Sequence, residues 1–149
     1  THTVMALPQK YKGKDLALAI DEEHDNHRVG QPHAALWVFD VTNPADMKPL
    51  SVFEVSELDS PWSRGFERFG AGQIVEHATG DRVFATWFAG GLRIVNIADP
   101  TRPTEEGFFI PAPAPGASSP QSMDVEVDER GLIYLLDRNG ALDILEMES

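Results

Sequence analysis

One short unit recurs along this chain, and it restricts the available folds more than any other feature. Gly91-Leu92-Arg93-Ile94-Val95-Asn96-Ile97-Ala98-Asp99-Pro100 reads as a buried strand that ends in an Asp-Pro turn. Leu36-Trp37-Val38-Phe39-Asp40-Val41-Thr42-Asn43-Pro44 matches it without a gap, 56 residues earlier. Leu142-Asp143-Ile144-Leu145-Glu146-Met147 matches it 50 residues later. A supersecondary unit repeated at roughly 40–55 residues is the mark of a propeller or related array. The expected fold is therefore all-β: a β-propeller of four-stranded antiparallel blades, of which this chain supplies about three.

The middle unit sets the template. Residues 73–76 read as an inner strand, 82–87 as a second strand rich in β-branched and aromatic residues, 92–97 as the third and 107–110 as the outer one. The last unit repeats the pattern with strands at 123–127, 132–136 and 142–147, and no fourth strand. The first unit has strands at 3–7, 16–20, 36–41 and 50–55. Blade boundaries follow at 1–58, 59–113 and 114–149. Between strands two and three the first unit is ten residues longer than the second, and the surplus includes Glu22-Glu23-His24-Asp25-Asn26-His27-Arg28. In such a meander the long segments 21–35, 56–71 and 111–121 leave on one face. Long ordered loops on a rigid scaffold are where function concentrates.

The Gly91–Pro100 run resembles the repeat of the LVIVD β-propellers, strongest over 36–44 and 91–103 and weakest over 1–14. The resemblance implies a propeller. It implies little about chemistry, because the family includes many surface and secreted bacterial proteins of unassigned activity. Relatives often carry a histidine after Gly-Ala on the inner strand, where this chain has Gly70-Ala71-Gly72-Gln73; His2 or His77 would have to substitute. Propellers close with roughly four to eight blades. Three would leave sheet edges and core exposed. Either a second propeller fragment, which the resemblance favours, or a second copy of the chain is expected to close the ring. A stable monomer is not expected.

Composition narrows the partners. The 149 residues carry a formal charge of −12, which argues against nucleic acid and against an anionic membrane. The absence of cysteine removes thiolate chemistry and Cys-based zinc sites. No apolar run reaches the roughly 20 residues of a membrane-spanning helix. The chain is expected to be soluble, with a bacterial secreted, periplasmic or cytoplasmic location left open. It starts at Thr1 and so reads as a mature or processed product.

The acidic loop is the strongest chemical candidate. Glu22, His24 and His27, with His2 or His77, carry oxygen and imidazole donors suited to a divalent metal (Zn, Mn, Fe or Ca). A solvated loop whose histidines only bond their neighbours is the bland alternative. Trp62 and Arg64 could clamp a small anionic or aromatic ligand, or Trp62 could simply pin its own loop. Gln73, Ser122 and Asp124 are expected to point into the channel, with Arg138 beneath the loop face. A buried Asp124 would need a partner. Thr1, if freed by self-cleavage, could act as a nucleophile through its α-amine. No nucleotide or organic-cofactor motif is present. Two functions follow: an enzyme, hydrolytic or oxidative, acting on a small molecule with Glu22, His24, Asp124 and Arg64 as catalytic candidates; or a non-catalytic module that recognises protein or glycan.

Overall fold

A computed structural model describes residues 1–24, 30–77 and 80–148. The chain forms three small antiparallel sheets, each a simple meander. The first joins β1 (Thr3–Ala6), β2 (Leu16–Ile20), β3 (Leu36–Asp40) and β4 (Lys48–Phe53). The second joins β5 (Arg82–Thr86), β6 (Leu92–Asn96) and β7 (Thr104–Phe109). The third joins β8 (Ser122–Val127), β9 (Ile133–Asp137) and β10 (Leu142–Leu145). A single 3-10 turn, Glu57–Asp59, is the only helical element among the described residues; Ser56 caps it by accepting the Leu58 N–H.

Two of the sheets share a register. Leu36 stands opposite Phe53 in the first sheet, and Leu92 opposite Phe109 in the second. The ladder also slips at matching places, between Val38 and Phe39 and between Ile94 and Val95. A bulge adds twist, so the outer strands of both sheets splay from the same point. The segment at 72–75 pairs with β5 through Gly72 N–H to Thr86 O (2.9 Å) and Val75 N–H to Phe84 O (2.9 Å), yet it is a bridge rather than a full strand. The reason is local. Gln73 N–H donates to the Thr86 hydroxyl at 2.9 Å, a side-chain bond that competes with the backbone ladder.

The core lies between sheets. Leu18, Ile20, Leu36 and Val38 of the first sheet pack toward Val83, Ala85 and Val95 of the second, with Phe53 edge-on to Trp87 at 5.7 Å. Ile133 and Leu135 bring the third sheet to the other side. The middle sheet is therefore covered on both faces, and β6 is buried along four consecutive residues. Each end sheet has one covered face and one open face. Val4, Ala19, Trp37 and Val52 stand opposite one another across all four strands of the first sheet, on its open face. Leu136 and Leu142 are opposed on the open face of the third, beside Ile144.

Candidate functional site

The three long segments gather at one end of the sheets, as the connection order requires. Gly30 N–H donates to Glu57 Oε1 (3.1 Å), Ser119 Oγ to Glu67 Oε2 (2.6 Å) and Gln121 Nε2 to Arg68 O (3.0 Å). Most buried charge there is committed to holding these loops. Glu23 is 7% exposed, and its carboxylate accepts Ala34 N–H at 2.9 Å and Gln31 Nε2 at 3.3 Å. His33 lies between two carboxylates, Nδ1 3.3 Å from Glu23 and Nε2 3.0 Å from Glu57, with its ring edge-on to Phe69. Gly70, at φ +139°, is the only residue type that fits beside this carboxylate: an added Cβ would lie 2.5 Å from Glu23 Oε2. Arg93 is fully buried on β6. It donates to Gly90 O and Asp59 O, pairs with Glu105 at 3.1 Å and stacks on Phe108. Asp137 accepts the N–H groups of Gln121 and Asn139.

The accessible ionisable groups form a second cluster at the inner edges of the sheets. His2 Nε2 is 3.5 Å from Glu22 Oε2, and Glu22 Oε1 accepts Arg68 Nη1 at 3.0 Å. The Arg68 guanidinium lies 5.3 Å from the centre of the Phe88 ring. A cleft of about 120 Å³ opens between His2, Glu22, Gly72, Phe88 and Met123. Another of about 250 Å³ lies between Glu67, Arg68, Gln121, Arg138 and Asn139. His2 and Glu22 come from the first sheet, Arg68 and Phe88 from the approach to the second and its β5–β6 turn, and Gln121 and Arg138 from the third.

The expected site residues separate accordingly. Glu22, His2 and Arg138 join the cluster. His24 is exposed and lines neither cleft, and His27 lies outside the described residues. His77 is at the far end of the inner strand from His2, in a cleft with Arg82, Asp128 and Glu129, so one ion cannot take both histidines. Among the described residues, no three His, Asp or Glu side chains are placed to share a metal ion. Ser122 is fully buried, with its hydroxyl unpartnered among the described residues. The register shift between Ser122 and Asp124 puts Met123 at the cleft instead. Asp124 is exposed and accepts Val125 N–H at 2.9 Å, so it needs no buried partner. Gln73 is half-buried and accepts Ile74 N–H. Trp62 packs on the core while Arg64 is exposed, an arrangement that pins the loop. The Thr1 α-amine pairs with Asp21 at 2.9 Å.

Sequence reasoning missed His33, Glu57, Arg68 and Arg93. Only Arg93 left a signal, a charge inside an otherwise apolar strand. No family model matches the chain, and no curated protein matches it.

Proposed function

We propose that this chain is an arc of three β-propeller blades, and that the arc is a binding module whose small-molecule ligand sits where the three inner edges meet. The observation that carries the reading is that two clefts with residues from all three units are joined by Arg68: it lines one with Gln121 and Arg138, and it contacts Phe88 and Glu22 of the other, which also holds His2. The propeller reading is supported by three meander sheets packed face to face, by the bulge at matching repeat positions, and by apolar end faces that call for further sheets. A second propeller fragment is the partner expected to close the ring. Arg138 offers a guanidinium for a carboxylate or phosphate, and Glu22 an acceptor for an amine or hydroxyl. A small polar ligand with an anionic group at one end and an amine or hydroxyl at the other, reaching past Arg68 from one cleft to the next, fits these two side chains.

Thermal melts against panels of small carboxylates, phosphates and amino acids test this. Any true ligand at about a hundredfold its dissociation constant adds about 2.7 kcal/mol and raises Tm by several degrees. The rise is expected to vanish in Arg138→Ala and Glu22→Gln, at positions that are not buried. A panel without effect, or shifts that survive both substitutions, would sink the reading.

One observation favours the enzymatic alternative: an imidazole and a carboxylate face each other, His2 to Glu22, with His24 two residues further on. His2 and Glu22 would supply two donors to a divalent metal, which would lower the pKa of a bound water and serve hydrolysis; among the described residues no third His, Asp or Glu is placed to join them, so water or substrate would complete the shell. Elemental analysis of the purified protein decides it. One metal per chain, lost in His2→Ala and in Glu22→Gln, is the expected signature; retention of metal by both variants excludes that pair as ligands.

A further inference from the structure

The two clefts of the ligand cluster hold no spare positive charge. Arg68 and Arg138 line the larger one, of about 250 Å³, with the Glu67 carboxylate beside them. Arg68 Nη1 donates to Glu22 Oε1 at 3.0 Å, and Glu22 lines the other cleft. Both partners of that pair are largely covered, their side chains 21% and 24% exposed. Glu67 accepts Ser119 Oγ at 2.6 Å through one oxygen. Arg138, exposed in the turn after β9, forms no ion pair among the described residues. Two guanidiniums therefore face two carboxylates. His2 Nε2, 3.5 Å from Glu22 Oε2, adds a cation only when protonated.

A simple anion meets an obstacle here. Arg138 alone can hold it only at the surface, where an exposed ion pair is weak. Recruiting Arg68 as the second half of a clamp draws that guanidinium away from Glu22, and a partly buried carboxylate is left without its partner. The −12 charge of the chain adds long-range repulsion. A ligand that brings its own cation removes the obstacle. Its anionic group takes Arg68 and Arg138, while its ammonium replaces Arg68 at Glu22. We infer that Glu22 is the specificity-determining residue of these clefts, and that their ligand is a zwitterion, an amino acid or a similar molecule with its two charges set apart. Glu22 works against simple anions as much as it works for the zwitterion, and selectivity needs such a repulsive element. The Phe88 ring, which the Arg68 guanidinium now faces at 5.3 Å, offers the incoming ammonium an aromatic surface. The inference rests on the ligand reading above and names the ligand class of that same site.

The probes are β-alanine, 4-aminobutanoate and 5-aminopentanoate, each beside the fatty acid and the alkylamine of matching length, titrated into the protein and followed by NMR shifts. In the unaltered protein the best of the three amino acids is expected to bind at least about tenfold more tightly than its fatty acid or its amine. Glu22→Gln should move the first two in opposite directions: the amino acid weakens and the fatty acid tightens, each by about threefold or more. Arg68→Gln should give the reciprocal result, a tighter amine and a weaker fatty acid, so the test does not hang on one variant. Asp46→Asn, which removes a charge in the β3–β4 turn outside both clefts, should change neither. If Glu22→Gln moves amino acid and fatty acid the same way, Glu22 contributes only general charge and the inference is overturned; amino-acid binding that still depends on Arg138 would leave the ligand reading standing. A fatty acid that equals its amino acid in the unaltered protein also overturns it. So does a series in which no probe binds any variant, and the melts with the wider panel then judge the ligand reading separately.

Discussion

Glu23 shows how a single buried carboxylate can organise a loop face. Its oxygens take a backbone N–H, an amide and an imidazole, while its own N–H donates to Ala71 O at 2.9 Å. Removing such a group leaves buried donors unpaired, and Glu23→Ala is expected to cost about 3 kcal/mol. Urea unfolding would show this as a lower midpoint at unchanged slope. Gly70→Ala introduces a Cβ that collides with Glu23 and strains a backbone at φ +139°. A loss of about 1–3 kcal/mol is expected. The two changes share one space, so their effects should not add. In the Glu23→Ala background the carboxylate contact is gone and only the 3.1 Å approach to the Cβ of residue 23 remains, so Gly70→Ala should cost its backbone strain and little more. Additive losses would mean the carboxylate and the glycine are independent.

At the scale of elements, the β8–β9 hairpin is tied by one carboxylate. Asp128 accepts the N–H groups of Arg130 (2.9 Å) and Leu132 (3.1 Å), the Arg130 guanidinium (2.6 Å) and the Tyr134 hydroxyl (3.0 Å). The hydrogen bond from Arg130 is the main reason its pKa falls to about 2, and the bonds from Leu132 and Tyr134 add to the fall. A depressed carboxylate stabilises the fold above its unfolded value near 4. That contribution is lost as pH falls toward 2. The Asp128 carboxyl carbon, followed by NMR, should titrate near 2 and move up toward the ordinary range in Arg130→Ala; a midpoint near 4 in the unaltered protein would contradict the geometry. Asp40 behaves alike: hydrogen bonds from Lys14 and Thr42 bring it to about 2 at the end of β3. The elements themselves were legible. β2 spans the residues expected of it, and the other strands sit within a few positions, because period-two apolar patterning and turn residues are local signals. The inner strand expected at 73–76 is only a bridge at Ile74, because the Thr86 hydroxyl intercepts the Gln73 ladder donor.

The first and third sheets each leave an apolar face open. Val4 is 69% exposed on the first sheet, beside half-buried Trp37 and Phe39 stacked with centroids 6.5 Å apart. Leu136, Leu142 and Ile144 are exposed on the third. Faces of this kind seek cover. The isolated chain is expected to self-associate reversibly and to bind an apolar dye such as ANS. Val4→Lys with Val52→Lys should reduce both, with little change in stability, because neither side chain is in the core. Sedimentation velocity and dye fluorescence provide the check; identical behaviour of the variant would place the sticky surface elsewhere.

Local patterns in the chain carried the all-β class, the positions of most strands and the side of the sheets on which the long loops lie. These patterns are alternation, Gly and Pro punctuation, and a fixed spacing. It also marked Glu22, His2 and Arg138, polar residues at strand ends or in turns. Tertiary structure decided which polar groups meet. Glu23 and His33 are ten residues apart and Glu57 is further still, yet they form one buried chain of contacts. Arg68 and Glu22 are joined across 46 residues. Nothing in spacing encodes such pairs, because they exist only once sheets stack and loops fold over them. His2 and His77 are the converse case: both flank an inner segment, but His2 precedes β1 while His77 follows the bridge at Ile74, and they line different clefts.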